Sequence, residues 1–184
     1  MDVRYAGFWR RTGAIMIDSI LFIIIYFGID MVLGDNFFYA SVLYQALCAI
    51  YYIGLTASPM QATLGQKLLS VKIGTLTGEG INVLQSLFRY FMWVLPAWPL
   101  IVYTSLPSTG DITTKMTGFD LTTDEAGAAL DFMNSPEVQS FMMVNGILTM
   151  IAAVGGIIWC ISIAVSEQKA GIHDLVCKQR AFRA

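Results

Sequence analysis

Apolar residues in this chain run on for about twenty positions at a time, where a soluble helix or strand would interleave them with polar ones. A bilayer core about 30 Å thick takes roughly 20 helical residues at ~1.5 Å each, and four windows reach that length. The first is Thr12 to Leu33, with Asp18 as its one deeply placed charge. The second, Phe37 to Ala57, is aromatic at both ends, with Phe37, Phe38 and Tyr39 at one and Tyr51 and Tyr52 at the other. Aromatic rings favour the headgroup boundary. The third, Phe88 to Leu106, is interrupted by Pro96 and Pro99, which break the helical hydrogen-bond ladder. The fourth, Pro136 to Val165, opens on Ser135-Pro136-Glu137: an N-cap, a first-turn proline and an acid at the positive helix end. At about 45 Å it should tilt or project beyond the membrane. The pattern predicts an all-α integral membrane protein built as a four-transmembrane-helix bundle.

The segments between the windows predict smaller elements. Ala62 to Leu69 reads as a short interfacial amphipathic helix, with Leu64, Leu68 and Leu69 on one side. Ser70 to Thr75, the turn signal Gly78-Glu79-Gly80, then Ile81 and Val83 predict a small β-hairpin at the membrane surface. The segment 107–135 is rich in Thr, Gly and Asp and reads as a solvated loop until TTDEAGAALDFM, which resembles a short capped helix. The tail 166–184 places Ile172, Leu175 and Val176 at helical spacing beside four basic residues, an amphipathic segment suited to anionic lipid. No internal repeat is present, so 1–184 is one domain.

Composition agrees. Hydrophobic residues make up 56% of the 184 and charged residues 13%, about half the usual charged share; the mean hydropathy is +0.63. A soluble globule and a disordered chain are excluded, and the net charge of −2 argues against a nucleic-acid binder. Cys48, Cys160 and Cys177 lack CxxC spacing and form neither a disulfide framework nor a zinc site. Arg4, Arg10 and Arg11 resemble the basic start of a signal peptide, but the long apolar run with no cleavage site reads as a retained span. Ten basic residues fall on one side of the four windows: those three, Lys67, Lys72, Arg89, Lys169, Lys178, Arg180 and Arg183; Lys115 stands alone on the other. The positive-inside rule then places both termini in the cytoplasm and 107–135 outside.

Candidate chemistry is sparse. Asp18 lies at bilayer depth, where an ionised group costs at least about 2.5 kcal/mol without a partner or a water cavity. It is seven residues from Arg11, on the same helix face but about 10 Å along the axis, so another partner such as Arg89 is needed. Asp18 is either an ion or proton site or half of a charge pair holding helices in register. His173 and Asp174 are adjacent and, about 100° apart on a helix, are not expected to form a dyad; Asp174 reads as a salt-bridge anchor. His173 is the only histidine, so no histidine metal cluster is expected. GxSxG, P-loop, GxGxxG and HExxH motifs are absent, which points to no enzyme and no cofactor. Ala152, Gly156, Cys160 and Ala164 form a small-residue ridge on the last span, suited to close helix packing within the chain or between copies.

Tyr5-Ala6-Gly7-Phe8-Trp9-Arg10-Arg11 with Ala14 and Asp18, then Ala62-Thr63-Leu64-Gly65-Gln66-Lys67-Leu68-Leu69, Arg89, and Gly171-Ile172-His173-Asp174-Leu175 together resemble the RDD family of small, mostly bacterial membrane proteins. By type and spacing its one arginine and two aspartates would be Arg11, Asp18 and Asp174. The family usually continues from the last aspartate into a small-Gly-Thr stretch and a strand, where this chain has Cys177-Lys178-Gln179. The segment 107–135 looks like an insertion relative to shorter members. The resemblance implies a bacterial inner-membrane protein and, for members with a proposed role, transport including cation/proton exchange. Two readings follow: a small oligomeric transporter using Asp18, with Arg11 and Arg89 tuning its charge, or an accessory subunit of a larger membrane complex. Expected partners are anionic lipid and further copies or membrane subunits.

Overall fold

The computed structural model describes residues 5–33, 37–118, 126–166 and 170–183. Among these, three helices are long and apolar enough to cross a membrane, and they supply most of the architecture: α1 (Phe8–Leu33), α2 (Phe37–Ala57) and α8 (Pro136–Val165). Their large apolar side chains face outward rather than into a core, with Met31, Val32 and Met150 among the most exposed. That inversion is what lipid-facing surfaces require. Between them lie α3 (Leu64–Leu68), β1 (Val71–Thr75), α4 (Val83–Val94), α5 (Trp98–Thr104), α6 (Pro107–Gly118) and α7 (Ala126–Met133); α9 (Ile172–Val176) and β2 (Gln179–Arg183) follow.

The window from Phe88 to Leu106 does not form one continuous helix. Residue Asn82 caps α4, its side chain accepting from Gln85 N–H while Gln85 returns a bond to the Asn82 N–H, a capping box. The chain therefore turns helical at Val83. It then breaks at a 3₁₀ turn over Leu95–Ala97, and Pro99 sits in the first turn of α5. Two prolines three positions apart each remove a backbone donor, so the segment folds as two short helices around a proline turn. That turn packs against α8, where a Cβ placed on Gly155 would lie 2.4 Å from Pro96 Cβ. Gly155 makes the close approach, whereas a Cβ at Gly156, on the expected ridge, would meet nothing within 4 Å. Gly156, Cys160 and Ala164 are exposed and Ala152 is half-buried, so that ridge is not used for packing inside this chain.

The expected hairpin is replaced by a pairing between the middle and the end of the chain. Strand β1 runs antiparallel to β2, with Val71 opposite Arg183, Ile73 opposite Ala181 and Thr75 opposite Gln179. The turn that follows β1 closes with Thr75 N–H donating to the Glu79 carbonyl and Gly78 at φ +85°, but the Asn82 cap commits the returning residues to helix before a strand can form. The N-terminal segment adds a third edge: Ala6 N–H donates to the Ala181 carbonyl at 2.9 Å, and Tyr5 bridges Phe182. Residues Ala6, Val71, Ile73, Ile81 and Ala181 form the buried core of this module. The tail is thus not a free amphipathic segment; Gln179, Arg180 and Ala181 are buried.

Segment 107–135 also differs from the loop expected. Its first part is helix α6, with Thr109 and Ile112 buried. Helix α7 follows as expected, although the residues that would cap it, 119–125, lie outside the described part. Helix α8 starts as expected, Ser135 Oγ accepting from Val138 N–H with Pro136 in the first position.

Candidate functional site

Two buried carboxylates anchor the small module to α1, and they are satisfied in opposite ways. Asp18, on α1, is 1% exposed. One oxygen, Oδ1, accepts from the Tyr51 hydroxyl at 2.6 Å and from Gly65 N–H at 2.8 Å; Oδ2 accepts from the Thr63 hydroxyl at 2.6 Å. All three donors are neutral. Thr63 is also the N-cap of α3, accepting from Gln66 N–H, with Gln66 bonding back to Thr63 N–H. Gly65 brings α3 this close: a Cβ there would stand 2.2 Å from the Ala14 carbonyl oxygen and 2.9 Å from Asp18 Oδ1. Arg89, offered by the sequence as a partner for Asp18, instead pairs elsewhere.

Asp174, at the start of α9, is fully buried and binds two guanidinium groups. Arg11 Nη1 pairs with Oδ2, and Arg89 Nη1 lies 2.5 Å from Oδ1. Asp174 Oδ2 also accepts from Gly171 N–H at 3.1 Å. Burial alone raises the Asp174 carboxyl, but Arg89 and Arg11 outweigh it and hold it below the usual carboxylate range. Arg11 is fixed a second time by Nε donating to the Ala6 carbonyl at 3.1 Å. Behind Asp174, Arg180 donates to the carbonyls of Asp174 and Gln179.

His173 lies inside this cluster, against the expectation that neighbours on a helix stay apart: its Nε2 is 3.3 Å from Asp174 Oδ1 and 3.4 Å from Arg89 Nη2. Helix α9 is five residues long, and Arg89 draws both side chains to the same side. The ring also stacks on Trp159 of α8 at a 6.2 Å centroid separation. Burial first, then the Arg89 charge, lowers the His173 pKa to about 3, so the imidazole is neutral at physiological pH.

A cavity of ≈ 90 Å³ opens between the two anchors, lined by Arg11 and Asp18 from α1, Tyr52 from α2, Ser86 and Arg89 from α4, and His173. It exceeds the ~10–15 Å³ one water needs. Ser86 contributes a local polar stitch, its Oγ donating to the Ile53 carbonyl and lying within hydrogen-bond range of Thr56 Oγ1. Of the four charges singled out in the sequence, Arg11, Arg89 and Asp174 form one cluster, and Asp18 belongs to a separate network across the cavity.

Sequence reasoning missed Tyr51, Thr63 and Gly65 as the partners of Asp18. The Thr63-x-x-Gln66 spacing is a capping-box signal and could have marked where a helix end meets α1.

The sequence profile of the RDD family matches residues 5–178, nearly the whole chain. The chain belongs to the RDD family. Its apolar helices accord with a membrane protein of that family. The uncharacterized protein YxaI of Bacillus subtilis (strain 168) is 30% identical across 49% of this chain and 76% of its own length. No solved structure gives a significant match. The match reaches from Tyr5, at the β2 edge, to Lys178, past Asp174, so this RDD-family chain includes both anchors within the matched span.

Proposed function

We propose that this RDD-family protein is a small membrane transporter whose working centre is the cavity between Asp18 and the Arg11–Asp174–Arg89 cluster, with Asp18 as the proton-handling group. The observation that carries this reading is an ionisable side chain, wholly buried in a membrane-crossing helix, on the wall of a cavity. Such a group is a functional-site hypothesis by default. The species bound at Asp18 would be a proton or a small cation, with Arg11 and Arg89 on the facing wall tuning its charge. The hydrogen bonds suggest how protonation would be felt. A carboxylate accepts from Tyr51, Thr63 and Gly65 at once; a carboxylic acid keeps an O–H of its own and must give up or weaken one of these donors. Proton uptake would loosen α3 from α1.

This reading includes four crossings, with α4, its proline turn and α5 together making the third, and both termini cytoplasmic in a bacterial inner membrane. Over 83–104 that segment reaches about 33 Å if its parts are collinear. A cysteine introduced at Lys115 should react with an impermeant thiol reagent in intact cells, and one at Lys178 should not; the reverse pattern would overturn the orientation. We assign no catalytic chemistry and no cofactor, and expect contact with anionic lipid and assembly with further copies.

The transport reading is tested by proton flux in liposomes reconstituted with the wild type and with Asp18→Asn. Asn keeps the shape and a hydrogen-bonding oxygen but does not titrate. Loss of flux in a folded variant is expected, and unchanged flux would sink the role of Asp18. A second reading, an accessory subunit of a larger membrane complex, is favoured by the outward ridge at Gly156, Cys160 and Ala164, which leaves a close-packing surface unused by this chain.

A further inference from the structure

We propose that the cavity binds a small oxyanion, a phosphate group or its like, gripped by the spare arm of Arg11 together with Arg89. The proposal concerns the wall opposite Asp18 and holds whether or not the protein transports protons.

Charge balance is the first argument. Arg11 and Arg89 share a single carboxylate, Asp174. The other carboxylate on the cavity wall, Asp18, turns its oxygens to Tyr51, Thr63 and Gly65 and pairs with no cation among the described residues. The two buried cations therefore share one directly contacting anion, while the Asp18 carboxylate stands across the cavity and touches neither. Buried guanidinium groups that share one carboxylate run short of acceptors for their N–H bonds, which is costly, and a bound anion would supply them.

Hydrogen-bond inventory is the second, independent argument. The Arg11 side chain is only 9% exposed, and its Nη2 is buried with no acceptor. Its Nε and Nη1 are taken by the Ala6 carbonyl and Asp174, so Nη2 is the arm left over on a residue that lines the cavity. His173 Nδ1 and Trp159 Nε1 are buried without partners as well. Asp174 Oδ1 has no hydrogen bond but is held by the Arg89 ion pair. What the neighbourhood lacks is acceptors.

The shape of the donors selects the ligand class. Guanidinium groups present their N–H bonds in a planar fork that matches oxygens of phosphate or carboxylate better than a spherical halide. The volume, ≈ 90 Å³, suits a group of a few heavy atoms. Free phosphate and the phosphate of an anionic lipid headgroup share this chemistry.

Thermal unfolding of the purified chain distinguishes the sources. In neutral detergent at constant ionic strength, inorganic phosphate at about ten times its Kd should raise Tm by roughly 3–6 °C, with sodium chloride as the control. In nanodiscs, replacing part of the phosphatidylcholine by phosphatidylglycerol tests the headgroup. A shift in either arm that disappears in Arg11→Lys, which keeps the charge for Asp174 but not the fork, supports the site and names its source. No shift in either arm means that water fills the cavity and overturns the proposal. A shift that persists in Arg11→Lys places the anion elsewhere and overturns it as well. Should Arg11→Lys fail to fold, Ile163→Phe, which fills the cavity wall without touching a charge, must abolish the shift. Binding without proton flux would retire the transport reading and leave this site standing.

Discussion

Asp18 and Asp174 are equally buried, yet the chain satisfies one with three neutral donors and the other with two cations. The difference follows from where each sits. Asp18 is inside a membrane-crossing helix and draws its donors from α2 and from the capped start of α3, groups that cost little to bring into apolar surroundings. Asp174 is outside the long apolar helices and gathers Arg11 from the first turn of α1 and Arg89 from the middle of α4. A neutral cage holds its carboxylate by hydrogen bonds alone. A cationic cage locks the carboxylate ionised. The cationic arrangement suits a fixed post.

The comparison breaks hardest at Asp174. Asp174→Ala leaves two buried guanidinium groups without their anion, an effect on the order of 3–5 kcal/mol. Detergent-purified protein should lose its sharp thermal transition, while Glu137→Ala, at the first turn of α8, should melt like the wild type. Equal melting of the two would show that Asp174 is no post.

Acidification should sharpen the contrast next. His173 titrates at about 3 in the folded state, below its ordinary ~6.5. The unfolded chain therefore takes up that proton first, and stability is full above about pH 6.5 and falls as the pH drops from there toward 3. Asp174 adds a loss of the same sign only below its ordinary ~3.9, since its folded pKa is depressed. Tm measured from pH 7.5 to 4.5 should decline in the wild type and decline less in His173→Asn. Parallel slopes would remove His173 from the cluster's energetics.

Smaller effects probe the Asp18 side. Gly65→Ala drives a Cβ into the Ala14 carbonyl and Asp18, and overpacking of this kind costs about 1–3 kcal/mol; urea or thermal melts read it directly. The smallest difference is between neighbours on α8. Gly155→Ala collides with Pro96, whereas Gly156→Ala meets open space and should shift stability by no more than about 0.5 kcal/mol. A larger loss at Gly156, measured as dissociation on size exclusion, would identify the ridge as a contact between copies.

How much of this was legible in the sequence depended on the range of the signal. Helices α1, α2 and α8 follow from apolar run length, and the start of α8 from Ser135 and Pro136, because those are local properties. Pro96 and Pro99 announced an irregular third segment, though not that Gly155 would receive the turn; which face of α8 meets it depends on packing between helices. Gln179 to Arg183 carries no strand alternation, and its pairing with β1 is fixed by tertiary contact with Val71 and Ile73. The Asp18 network was hidden for a similar reason: Tyr51, Thr63 and Gly65 are unremarkable singly and become a cage only when three elements meet. Arg11 and Asp174 were each singled out by resemblance, but their pairing was not, since it joins residues 163 positions apart, far beyond any periodicity.

That separation matters during synthesis. The first two spans, β1 and Arg89 all leave the ribosome before Asp174 and β2 exist. Until α9 and β2 arrive, Arg11 and Arg89 have no shared carboxylate, and the β1 edge is open to foreign strands. Closing contacts this distant in the chain is slow relative to forming local helix. A chain interrupted before Gly171 would therefore display Arg11 and Arg89 without Asp174 and a bare strand edge, features that α9 and β2 cover. The α9–β2 segment therefore closes contacts that open far earlier in the chain.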